Sequence, residues 1–142
     1  MSQAVLARSV RAVGGGVILW LSGLGVGTLV FAMPRLAATP PIPHVSSHPW
    51  ITGPVVLLWS FLAWLLARRG VASASHPAAE GLRTGLTFAA VNVLLDLLVV
   101  VGLMGNGLRF YGFLGPWLAY LVLVIVPWWT GRAAMRSATN DG

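Results

Sequence analysis

Leu82-Arg-Thr-Gly85-Leu-Thr-Phe-Ala-Ala-Val-Asn92-Val-Leu-Leu-Asp96-Leu-Leu-Val-Val-Val-Gly102-Leu-Met104 decides the fold. It is an apolar run long enough to cross the hydrocarbon of a bilayer, which takes about 20 helical residues. A carboxylate stands near its middle. Three further runs of similar character lie at 12–33, 50–67 and 111–130. None alternates apolar and polar residues as the strand of a membrane barrel does. The expected fold class is all-α: a polytopic four-transmembrane-helix bundle forming one domain over residues 1–142, with helices at about 12–33, 50–67, 82–104 and 111–130. An outer loop at 34–49, an inner loop at 68–81 and a flexible tail at 132–142 complete the reading.

Composition leads to the same class. Of 142 residues 57% are hydrophobic and 8% charged, whereas soluble domains carry about 25% charged residues. A surface facing water cannot be made from that inventory. A signal peptide competes for the first run, but its apolar region is about 7–15 residues, and 12–33 exceeds it. A retained helix is expected.

The formal charge of +6 comes from nine arginines against Glu80, Asp96 and Asp141, with no lysine. Basic residues between apolar runs act as topology signals and headgroup contacts. No stripe of interleaved basic and aromatic residues suits nucleic acid, so no nucleic-acid partner is expected. On a four-span path Arg8, Arg11, Arg68, Arg69, Arg83, Arg132 and Arg136 fall on one side, Arg35 and Arg109 on the other. The positive-inside rule then places both termini in the cytoplasm. The all-arginine usage fits a prokaryote, hence a plasma (inner) membrane. The partners expected are the lipid bilayer and either a homo-oligomer or another membrane protein.

Helix boundaries have local signals. Gly105-Asn106-Gly107 reads as a helix stop and tight turn. Thr52-Gly53-Pro54 resembles a capped start with an early proline, and Pro127 is expected to kink or end the fourth helix. Five prolines in the outer loop favour extended backbone.

Asp96 is the candidate intramembrane polar site, with Asn92. An acid mid-span costs roughly 2.5–3.5 kcal/mol on insertion scales, so it needs protein around it. Gly81, Gly85, Ala89, Asn92 and Asp96 recur every three or four residues and line one helix face. Asn92, one turn from Asp96, is placed to hydrogen-bond its carboxyl. Arg83 and Arg109 are each 13 residues from Asp96, roughly 20 Å along a helix, too far to pair. Partners from other helices are Ser22, Thr28, Ser60, Tyr120, Trp20 and Trp59. Three uses remain open: hydrogen-bonded glue between helices, a proton- or cation-coupled site, or contact with a ligand.

Gly23 and Gly27 have the four-residue spacing of close-packed membrane helices; packing within the chain is expected ahead of an oligomer contact. His44 and His48 would share a helix face as ligand or metal contacts, but the surrounding prolines oppose a helix. A solvated or headgroup-facing role is expected ahead of haem, pigment or quinone contact, and no metal or cofactor is assigned. No catalytic motif of hydrolase, zinc-peptidase or phosphate-loop type occurs, and with no cysteine thiolate chemistry is excluded. An enzyme is not expected.

The stretch from Glu80 to Val99, with Glu80-Gly81, Gly85, Asn92 and Asp96 in register, resembles small four-helix prokaryotic integral membrane proteins of uncharacterised function. The resemblance implies the four-span fold and a shared polar face, with no activity attached. Small multidrug transporters share the helix number and length, but they rest on an acid in the first helix, which this chain lacks.

Overall fold

The computed structural model describes residues 3–32, 49–105 and 107–140. It is all-α. Helix α1 covers Gln3–Ala32, α2 Pro49–Ala72, α3 Pro77–Leu95 and α4 Leu114–Asn140. Helix α3 continues without a break as a π-helical segment, Asp96–Leu103, and a 3-10 helix at Gly107–Gly112 leads into α4. All four helices contain a stretch long and apolar enough to cross a membrane: Leu6–Leu29, Thr52–Ala72, Pro77–Leu103 and Leu114–Ser137. In the most apolar part of each, only between 17% and 22% is buried by the rest of the protein. Leu57, Leu103 and Leu114 are more than two-thirds exposed. Helices apolar on their outer as well as their inner faces belong in lipid.

Several boundaries differ from the sequence reading. Helix α1 begins nine residues earlier, at Gln3 rather than 12: Arg8 and Arg11 set the expected start, but Ala4, Leu6, Ala7 and both arginines are good helix formers and carry the helix beyond it. The inner connection shrinks to 73–76: α2 continues past its arginines to Ala72, and Pro77 starts α3 in the first-turn position that proline tolerates. At its other end α2 begins at Pro49, so Pro54 lies inside the helix rather than at its start. Pro127 does not end α4, which runs on to Asn140 through the residues assigned to a tail. Proline cannot donate to the carbonyl four residues back, here that of Leu123, and the neighbouring helix is packed against that carbonyl.

That neighbour is α3. A Cβ built on Gly85 would sit 2.7 Å from the Val124 carbonyl oxygen and 2.9 Å from that of Leu123. One on Gly81 would overlap the Pro127 carbonyl, and one on Gly131 of α4 the Pro77 carbonyl. The two backbones meet with no room for side chains between them, and glycine at these three positions makes the approach possible.

Two apolar clusters fill the interior. Leu19, Ala63, Ala67, Val71, Phe88 and Leu123 bring all four helices together. Trp20, Val100 and Phe110 form a second cluster nearer the turn after the π-helical segment. In that turn Gly105 and Gly107 take φ of +68° and +64°, left-handed backbone that glycine adopts without strain. Both positions agree with the helix stop read from the sequence. The up-and-down path sets the start of α1, the end of α2, the start of α3 and the end of α4 at one end of the bundle. An Arg83 guanidinium N–H donates to Ser9 Oγ at 2.8 Å across that end.

Candidate functional site

Asp96 is the first residue of the π-helical segment. Its backbone N–H still points at the Asn92 and Val93 carbonyls. By the end of the segment the Met104 N–H reaches the Val99 carbonyl, five residues back, at 2.8 Å. The wider turn changes where side chains after Leu95 point relative to a continuous α-helix.

The carboxylate is held from two other helices. The Trp20 indole N–H of α1 donates to Oδ1 at 2.8 Å, and the Tyr120 hydroxyl of α4 donates to Oδ2. Trp20 and Tyr120 are themselves buried and Asp96 partly so. Each carboxylate oxygen has a donor, and each donor has a large ring that shields the group from hydrocarbon. Asp96 thus ties α1, α3 and α4 together at one level.

Asn92 is 6% exposed, and its side chain does not bind the Asp96 carboxyl. Its Nδ2 donates instead to the Gly16 carbonyl of α1 at 3.1 Å and to the Phe88 carbonyl of its own helix at 2.9 Å. The expected Asn92–Asp96 bond is corrected for a steric reason. Gly16 has no side chain, and a Cβ there would be 2.9 Å from Val91 Cβ; α1 comes close enough to offer its carbonyl, so both amide hydrogens are used. The small-residue face of α3 also meets two neighbours rather than one. Gly81 and Gly85 pack on α4, Asn92 packs on α1, and Ala89 is partly buried between them.

Of the six partners considered for Asp96, Trp20 and Tyr120 are the ones used. Ser22, Thr28 and Ser60 donate to carbonyls of their own helices, those of Leu19, Leu24 and Val56. The Trp59 indole lies against Gly23, where a Cβ would overlap it. Gly23 therefore packs α1 on α2, while Gly27 is partly exposed. Gly15, Gly16 and Gly131 are close-contact glycines the sequence reading passed over: Gly15 was visible only as part of a glycine run, and Gly131 only as a residue after a tryptophan pair.

An aromatic chain surrounds the Tyr120 side. Trp117 stands edge-on to Tyr120, with centroids 6.0 Å apart, and donates its indole N–H to the Tyr111 carbonyl at 2.8 Å. The Tyr111 hydroxyl donates to the Val93 carbonyl at 3.3 Å, fastening the turn before α4 to α3. Burial lifts the Tyr111 phenol above its ordinary value. Chemically the cluster offers one carboxylate, two phenols and two indoles: groups that can hold a proton or a cation, or join helices.

His44 and His48 lie outside the described residues, as does the proline-rich outer loop. Among the described residues no group of three or more His, Cys, Asp or Glu could hold a metal ion. Neither a family model, nor a curated protein, nor a solved structure matches the chain. The likeness of the third helix to small uncharacterised membrane proteins therefore assigns no family. The sequence and structure together support an integral membrane protein with four spans.

Proposed function

We propose that this protein has a structural or accessory role in a prokaryotic plasma membrane, with both termini in the cytoplasm, assembling with itself or within a larger membrane complex, and that it is not an enzyme. The observation that carries this reading is the occupancy of Asp96. Both carboxylate oxygens accept hydrogen bonds from other helices, which is how a mid-span acid acts as a pin. Asn92 repeats the device one turn away on the Gly16 carbonyl.

The orientation follows from the seven-to-two distribution of arginines. Two of these side chains pair with tryptophans, as basic and aromatic residues do at an interface: the Arg68 guanidinium lies over Trp64 and that of Arg132 over Trp128, 4.9 and 5.0 Å from the ring centroids.

The test is Asp96→Asn in the full chain. An amide retains an acceptor for the Trp20 indole, and its N–H groups can donate to the Tyr120 oxygen. Thermal unfolding and oligomeric state in detergent are expected to change little. Asp96→Leu, which leaves both donors without an acceptor, is expected to destabilise the bundle. Equal stability of all three forms would remove the pin.

A second reading is a small proton- or cation-coupled transporter using Asp96. What favours it is the π-helical segment that begins at this residue, since such insertions are frequent at functional sites. It requires pH-dependent flux into liposomes from the purified protein and loss of that flux in Asp96→Asn with the fold intact. Absence of proton, cation or drug flux from the wild-type protein ends this reading.

A further inference from the structure

The arginine-bearing end carries a constellation that the Asp96 cluster does not use. Trp129, Arg132, Ala133 and Arg136 of α4 line a shallow concavity of about 160 Å³. Their spacing, i, i+3, i+4 and i+7, makes one continuous helix face. Ala133 forms a low floor, and the 60%-exposed Trp129 ring forms a wall on the side toward the middle of the span. The two arginines stand farther along, at the end of the span Leu114–Ser137.

Arg132 is exposed, and its guanidinium lies over the Trp128 ring. A guanidinium held against an aromatic ring can still offer its N–H groups for the paired N–H···O bonds that suit phosphate. Among the described residues the same end of the bundle also carries Arg8, Arg11, Arg68, Arg69 and Arg83 against one acid, Glu80, so an anion is favoured there. The concavity is well below the roughly 300 Å³ at which drug-sized pockets begin, and it suits one phosphate-sized group. A tryptophan at the apolar edge and arginines at the polar edge match the level of lipid headgroups.

We propose that this groove binds the phosphodiester of an anionic phospholipid, with Arg132 and Arg136 on the phosphate and Trp129 against the glycerol and the first methylenes of the chains. The inference rests on the four-span reading.

The experiment uses the full chain in mild-detergent micelles, supplied with phosphatidylglycerol or phosphatidylcholine, with retained lipid read by native mass spectrometry. Wild-type protein should retain phosphatidylglycerol preferentially. The pair Arg132→Gln and Arg136→Gln should reduce that preference roughly tenfold or more, as expected for two basic side chains at a membrane surface. Arg8→Gln with Arg11→Gln, the same charge change on α1, should leave most of it. Arg132→Lys should lose part of it, because the charge stays while the planar fork and the stacking go.

Equal retention of the two lipids by wild-type protein overturns the proposal, as does unchanged preference in the Arg132, Arg136 variant. An equal loss in the Arg8, Arg11 variant replaces the site with a diffuse field and also overturns it. Displacement of the lipid by millimolar inorganic phosphate would make free phosphate the ligand and exclude the headgroup. Circular dichroism melting of each variant separates loss of binding from loss of fold. Extraction of the protein from membranes by alkaline carbonate would defeat the four-span reading itself, whereas a carbonate-resistant protein with no lipid preference defeats only the groove.

Discussion

Replacing Gly85 with alanine adds one methyl group between two helix backbones. That Cβ would stand 2.7 Å from the Val124 carbonyl oxygen, 2.9 Å from the Leu123 carbonyl oxygen and 2.9 Å from Val124 Cα. Ordinary contact for a Cβ begins at 3.4 Å, so α3 and α4 must separate locally by about 3.4 − 2.7 = 0.7 Å. No side-chain rotation relieves the overlap, because the three nearest opposing atoms all belong to the backbone. Overpacking of this kind costs about 1–3 kcal/mol, against which alanine returns up to about 1 kcal/mol of helix propensity. The expected net effect is destabilisation of about 1–2 kcal/mol. Gly14 is the control. It is exposed, and a Cβ there meets nothing within 4 Å, so Gly14→Ala should be neutral or mildly stabilising. Unfolding in mixed micelles, titrated with dodecyl sulfate and followed by helical circular dichroism, gives both values. Equal midpoints for the two variants, or a more stable Gly85→Ala, would refute the close approach of α3 and α4.

Other expectations follow from the polar contacts and the topology. Asn92→Leu removes the bonds to the Gly16 and Phe88 carbonyls and should cost about 1–2 kcal/mol in the same assay, since interhelical bonds in membranes average about 0.6 and reach about 1.7 kcal/mol; a neutral result would mean that α1 is not held there. Trp20→Phe and Tyr120→Phe should each couple to Asp96→Leu in double-mutant cycles with energies of roughly 0.5–1.7 kcal/mol, and additive effects would show the carboxylate to be held elsewhere. The chain has no cysteine, so single substitutions report sidedness without a background. Ser75→Cys and Ser137→Cys should react with an impermeant maleimide only from the cytoplasmic face, and Ser46→Cys only from the opposite face; any two of them reacting otherwise breaks the four-span path.

The contrast between Gly131 and Asp96 shows how far the residues speak for themselves. Asp96 is conspicuous in sequence because one acid in an apolar run has a large transfer cost, and that cost requires partners. The run also shows which partners are chemically able, and Trp20 and Tyr120 are among the few donors the helices carry. Gly131 gives no such signal. A glycine two residues after a tryptophan pair looks like any other until Pro77 is found against it.

Four apolar helices, the end of the third at Gly105, the arginine-rich end and the need of Asp96 for partners from other helices were determined by the sequence alone, because each depends on transfer free energy or on local backbone preference. Tertiary structure decided which helix faces which. It sent the Asn92 amide to the Gly16 carbonyl instead of the adjacent acid, continued α4 beyond Pro127, and opened the α3 ladder into a π-helical turn at Asp96. Those outcomes depend on distances between residues far apart in the chain, set by how closely glycines let two backbones approach, and no pattern within a single helix encodes them.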